Sequence, residues 1–169
     1  TNKYLHSKFR LGKGVEQLLI FDSINLYDNN KLSNEFKLKY EELLKEGRGG
    51  GFWIWKLDII NQELNKMEEN DYLVYADAGC VINKEGRERL IEYFDMLNNS
   101  EYGIISFQLP HKEINWTTDE LFQYFDLSLN SNIANSGQIM ATVLIMQKKP
   151  HLLKILKEAY KVLEYDSKL

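Results

Sequence analysis

With a single cysteine, Cys80, in 169 residues, the chain has no partner for an intramolecular disulfide, so its core must hold the fold. Its three histidines, His6, His111 and His151, are widely separated and give no structural zinc site. No apolar run approaches the ~20 residues of a membrane span, and no secretory leader pattern is visible. Net charge is −4, with Lys and Arg scattered among the acids, so no electrostatic footprint for nucleic acid is evident. Internal repeats and low-complexity linkers are also missing. What remains is 44% apolar and 12% aromatic, enough for one domain to bury a core without staples.

Helical and strand patterns alternate along the chain. A modest helix is expected over 8–17, weakened by Gly12 and Gly14. Leu18 to Phe21 reads as a short strand ending at Asp22. Ser33 is a plausible N-cap for a helix carrying Phe36, Tyr40, Leu43 and Leu44 and closed by Gly47. Trp53, Leu57, Ile60, Leu64 and Met67 recur as one buried helical stripe. Strands are expected at 72–76, 103–107 and 139–146, the last apolar enough to be buried on both faces. Asn83 is positioned to cap a helix burying Leu90, Tyr93 or Phe94, and Leu97. Thr117 to Glu120 fits a capping box, with Leu121, Phe122 and Phe125 in the helix behind it. Pro150 suits a first helical position ahead of Leu152, Leu156, Ala159 and Leu163. Alternation with short connections predicts a layered α/β sheet, mostly parallel.

The chemistry concentrates at Arg48-Gly-Gly-Gly-Phe-Trp-Ile-Trp-Lys56 and at Tyr72-Leu-Val-Tyr-Ala-Asp77-Ala-Gly79-Cys80. Asp77 closes an apolar strand, and ligands bind at strand C-terminal ends in open α/β sheets. Ala78 and Gly79 leave room for close approach to the backbone. A structural alternative is an Asp that accepts turn amides, although Asn83 is better placed as the cap. Trp55 lies roughly 200° from Trp53 at 100° per residue, so it should leave the core face and, with Lys56, wall a pocket for an anion. Packing beneath a loop, with Lys56 solvated, accounts for the same residues equally well. Gly49 to Gly51 could bring amides to a phosphate, or simply form a hinge. Gln138 could meet a sugar hydroxyl or belong to a turn. Asp119, in a first helical turn, is a candidate base, and Glu113 and Asp126 are weaker ones. Cys80 reads as a buried small side chain rather than a nucleophile.

Together with Asn115-Trp-Thr-Thr-Asp119-Glu-Leu-Phe122 and the segment from Gln138 onward, these blocks resemble GT-A-type glycosyltransferases. That family serves capsular or cell-surface polysaccharide synthesis in bacteria and glycan synthesis in large DNA viruses. The resemblance implies a Rossmann-like GT-A sheet with helices on both faces, and a single domain over 1–169 that is a fragment of a longer protein. It also implies a nucleoside-diphosphate sugar donor, a glycan or lipid-linked acceptor, and Mn²⁺ or Mg²⁺ as cofactor. Asp77 would match the first acid of the Asp-x-Asp motif, with Gly79 where the second should stand. A lone carboxylate would hold the metal through water, or would bind the ribose.

On this reading the donor meets Arg48, Gly51, Trp55, Lys56, Asp77, Ala78, Gly79 and Gln138, and Asp119 is the catalytic base. No nucleic acid and no membrane span are expected. The implied location is cytoplasmic, extending to peripheral attachment at the inner membrane face. Two rival readings are a non-catalytic nucleotide-sugar or glycan binding module and an aspartate-dependent phosphatase. The phosphatase needs a second acid where Gly79 stands.

Overall fold

A computed structural model describes residues 4–166, and three strands in it form one sheet: Tyr72–Ala76 (β1), Ile104–Lys112 (β2) and Gly137–Gln147 (β3). The spatial order is β1-β3-β2, and β3 is antiparallel to both neighbours. This overturns the expected mostly parallel, Rossmann-like GT-A sheet. Alternation of strands and helices says nothing about strand direction, which only the pairing fixes. The apolar run in β3 marks a central strand covered on both faces, and an antiparallel strand meets that condition equally well. β1 and β2 therefore run parallel to each other, with β3 inserted between them. The expected strand over 18–21 is absent: that segment is a turn and coil in which Leu19 takes φ 54°.

The helices are Leu5–Glu16 (α1), Asn34–Lys39 (α2), Glu41–Leu44 (α3), the distorted turn Gly49–Phe52 (α4), Trp55–Lys66 (α5), Arg87–Asn98 (α6), Asp119–Tyr124 (α7) and Pro150–Tyr165 (α8). Side chains alternate across the strands. Tyr75 of β1 and Met146 of β3 join Ile59, Ile60 and Leu64 of α5 and Leu152 and Leu156 of α8 in the main core. On the opposite face, Tyr72 stacks on Phe94 and Phe107 meets Tyr93, both from α6. A second cluster unites Phe36, Tyr40 and Leu43 with Leu163 of α8.

Ser33 caps α2 by accepting from the Phe36 amide, and its own hydroxyl and amide donate to the buried carboxylate of Asp58. Asn83 caps a short 3₁₀ turn, Lys84–Gly86, ahead of α6. Thr118, one residue later than expected, caps α7. Gly12 and Gly14 do not break α1. A Cβ on either would lie 3.0–3.1 Å from Leu26 or Ile82, so both glycines sit where the helix packs closely. The terminal residues of the expected 1–169 domain, 1–3 and 167–169, lie outside the described residues.

Candidate functional site

The α4 region determines where α5 begins. Gly49, Gly50, Gly51, Phe52 and Trp53 all take positive φ, between 51° and 91°. Five consecutive residues thus turn left-handed, a conformation that L side chains visit singly and at a cost. The expected helical phase counted Trp53 into the buried stripe, but α5 starts two residues after it. Trp53 is consequently 45% exposed, and the Arg48 guanidinium lies 5.9 Å from its ring centroid. Trp55 takes the inner position instead, packing against both core clusters while its indole N–H donates to the Gly49 carbonyl at 2.8 Å. The two tryptophans have exchanged the places that spacing predicts, because helical phase does not propagate through a left-handed turn.

The glycines serve the turn itself. A Cβ on Gly51 would lie 2.9 Å from the Leu43 carbonyl oxygen. The Gly51 and Phe52 amides donate internally, to the carbonyls of Glu46 and Arg48. Those two N–H groups are therefore committed and do not face a phosphate.

The first turn of α5 carries Lys56 to the end of β1. Its ammonium donates to Asp77 Oδ2 at 3.1 Å and to the Ala141 carbonyl at 3.0 Å. Tyr75 stands two residues before Asp77 on the same strand face, and its hydroxyl donates to Asp77 Oδ1. The Asp77 amide donates to the Thr142 carbonyl at 2.9 Å, extending the β1–β3 ladder by one bond. The Asp77 and Lys56 side chains remain 30% and 15% exposed, so the pair opens at the rim of the sheet. Burial, then the hydrogen bond and charge of Asp77, push the Tyr75 phenol well above its ordinary pKa, which keeps it a donor. Burial, then the charge of Asp77, raise the pKa of the Cys80 thiol, which is half-buried rather than fully buried.

Ala76 at the end of β1 pairs with Val143 of β3, and β3 extends beyond it: from Gly137 to Met140 it pairs only with β2. Asp77 therefore lies at the foot of an overhanging two-stranded ribbon. Gln138 is on that ribbon, roughly 13 Å along the strand from Thr142 at ~3.3 Å per residue, so it is not gathered with Asp77. Ala78 is half-buried and Gly79 exposed, with nothing within 4 Å of a Cβ built on Gly79. Asp119 is exposed in the first turn of α7. Leu121 of α7 and Phe125, which follows it, line an apolar groove of about 480 Å³ together with Ile54 and Leu57, which bracket Trp55 and Lys56. Glu113 accepts from the Thr117 hydroxyl, and Asp126 follows α7 at φ 53°.

Tyr75 and the carbonyl of Ala141 both bond to the Lys56–Asp77 pair, and neither was expected from the sequence. Period-two alternation places Tyr75 on the side of Asp77 and was an available signal. The Ala141 contact depends on the pairing of β3, for which no local signal exists.

As a cation site the donor set is poor. Both oxygens of Asp77 already accept, one of them from an ammonium that would repel a divalent ion. Among the described residues no three His, Cys, Asp or Glu side chains converge. These residues do not fit the implied Mn²⁺ or Mg²⁺. No family model matches the chain, and neither a curated protein nor a solved structure matches it.

Proposed function

We propose that the chain carries the donor site of a glycosyltransferase that uses a nucleoside-diphosphate sugar, with Lys56 and Asp77 at its centre. The observation that carries this reading is the half-open Lys56–Asp77 pair at the β1 end, braced by Tyr75 and the Ala141 carbonyl. The proposal rests on these side chains and on the resemblance of the blocks that contain them. It does not rest on a GT-A sheet, which the antiparallel pairing excludes.

Sugar transfer passes through an oxocarbenium-like transition state while negative charge builds on the departing diphosphate. An ammonium has three N–H donors, and two are used here. The third is available to a phosphate oxygen, and its worth grows as the bond breaks. Asp77 fixes the ammonium, and its remaining lone pairs accept from ribose or sugar hydroxyls. Asp119 is the acceptor-side base of this reading on the resemblance of its 115–122 block; neither it nor Lys56 lines the apolar groove that Leu121, Ile54 and Leu57 share. No step is routed through a metal.

The test measures consumption of a panel of nucleoside-diphosphate sugars, with and without acceptors, by the wild type, Lys56→Ala and Asp77→Asn. Removing one preorganised charge-stabilising donor should lower kcat about 10²–10³-fold. Near wild-type turnover in both folded variants would reject these roles. Binding of a sugar nucleotide without turnover would instead make the chain a binding module. Phosphate release from simple phosphoesters would point to phosphatase chemistry.

A further inference from the structure

Basic and polar side chains share one face of α1. His6, Arg10, Lys13 and Gln17 fall within an arc of about 60° at 100° per residue, so they form one stripe on the helix. That stripe walls a cleft of about 500 Å³ closed on its other side by Val81 and Ile82. Neither Lys56 nor Asp77 lines it.

Three features make this more than a solvated helix face. First, no acidic side chain lines the cleft, although the chain as a whole carries a net charge of −4. His6 and Lys13 have no hydrogen-bond or ion-pair partner among the described residues, whereas Lys8 on another face of the same helix is paired with Asp28 at 2.9 Å. Second, Arg10 reaches across the cleft to the carbonyls of Gly79 and Cys80, both at 3.4 Å. Those bonds are long, so the guanidinium can be recruited by a better acceptor without a large loss. Third, the walls are apolar: Phe9 is 51% and Val81 73% exposed beside the charges. Gly14 sets the width, since its missing Cβ would lie 3.0 Å from Ile82.

We infer that the cleft between α1 and the 79–82 loop binds a phosphate-bearing ligand with an apolar or aromatic portion, at a site separate from the Lys56–Asp77 pair. Arg10 and Lys13 hold the phosphate, and Phe9 and Val81 cover the adjoining apolar group. The phosphate could belong to a nucleotide or to a short isoprenyl phosphate; both present the same chemistry to the stripe. This inference does not depend on sugar transfer, because it is read by binding alone.

The experiment is calorimetric titration of the full chain with inorganic pyrophosphate, uridine diphosphate and geranyl phosphate at low and moderate salt. Wild type is compared with Arg10→Ala/Lys13→Ala, with Lys56→Ala and with a remote control, Lys154→Ala/Lys157→Ala on α8. Melting curves establish that each variant is folded, and Lys13→Gln alone serves if the double variant is not. At least one organic phosphate should bind, more tightly than pyrophosphate, and lose tenfold or more in affinity in the α1 variant while the α8 control stays at wild-type affinity. Affinity should also fall as salt screens the charges. Three results would overturn the inference: no binding by any probe, equal weakening by the α8 control, or a loss confined to Lys56→Ala. The first leaves the transferase proposal intact, since donor turnover tests that separately.

Discussion

Replacing Gly51 by alanine probes the left-handed turn that launches α5. At φ +91° an L side chain is strained whatever the space, and left-handed backbone costs about 1–2 kcal/mol per residue. The added Cβ would also lie 2.9 Å from the Leu43 carbonyl oxygen and 3.0 Å from the Leu44 Cα. Both are backbone atoms of α3 that cannot rotate away, so the segment must shift, at about 1–3 kcal/mol for such overpacking. Alanine recovers about 0.4–1 kcal/mol by restricting the unfolded chain. The expected net loss for Gly51→Ala is therefore about 2–4 kcal/mol.

Gly50 is the matched control. It too has positive φ, at 60°, but a Cβ there meets only the Trp55 indole nitrogen, at 4.0 Å. Gly50→Ala should cost about 1 kcal/mol or less, the backbone strain offset by the entropy gain. Urea unfolding of the two variants should separate them by about 2 kcal/mol. In thermal melts that is roughly 4–8 °C for a chain of this size. If the two unfold together, or if Gly51→Ala matches the wild type, the close approach of α4 to α3 is not as described, and the placement of Trp55 and Lys56 loses its support.

Two further predictions use ionisable groups. Asp77 is the second cause, after burial, holding the Cys80 thiol high. Asp77→Asn should therefore speed iodoacetamide labelling of Cys80 near pH 8 while leaving it slower than a fully exposed thiol; unchanged labelling would argue against the charge contact. Burial opposes ionisation of Glu63, but hydrogen bonds from Lys66 and Tyr27 outweigh it and lower its pKa from the ordinary 4.5. A depressed carboxylate contributes stability above its unfolded pKa and loses it as pH falls through the folded value. Glu63→Gln should thus cost about 1–2 kcal/mol at pH 7, from hydrogen bonds to a charged group. The cost should shrink below pH ~4.5, as the wild-type carboxyl is itself protonated. A pH-independent difference in urea unfolding would show that the interaction is steric.

Local patterns proved legible where a single periodicity ran through an element. The α8 stripe of Leu152, Leu156 and Leu163 is buried, and β1 spans 72–76, where the apolar run ahead of Asp77 predicts a strand. Legibility failed where the chain broke its own phase. Trp53 and Trp55 exchanged roles because Trp53 ends a run of five positive-φ residues ahead of α5, and nothing in Phe52 or Trp53 announces that conformation; both are costly there. It failed again for strand direction, since pairing between residues about 70 apart leaves no trace in either strand alone.

Antiparallel pairing puts Asp77 at a rim for a different reason than a parallel sheet would. In a parallel sheet every strand would deliver its carboxyl end to one edge. Here β1 and β2, parallel to each other across the inverted β3, still finish on the same side, and β3 begins there. The inversion adds something a parallel neighbour would not supply in this way. Because β3 outruns β1, the carbonyls of Ala141 and Thr142 lie beside the strand end, where one holds Lys56 and the other holds the Asp77 amide. The lysine is thus fixed from two sides, by a carboxylate on β1 and a main-chain oxygen on β3. Moving β1 by one residue would turn the Asp77 side chain to the opposite face. The register of an antiparallel pair, rather than a strand-end position alone, accounts for the site's geometry.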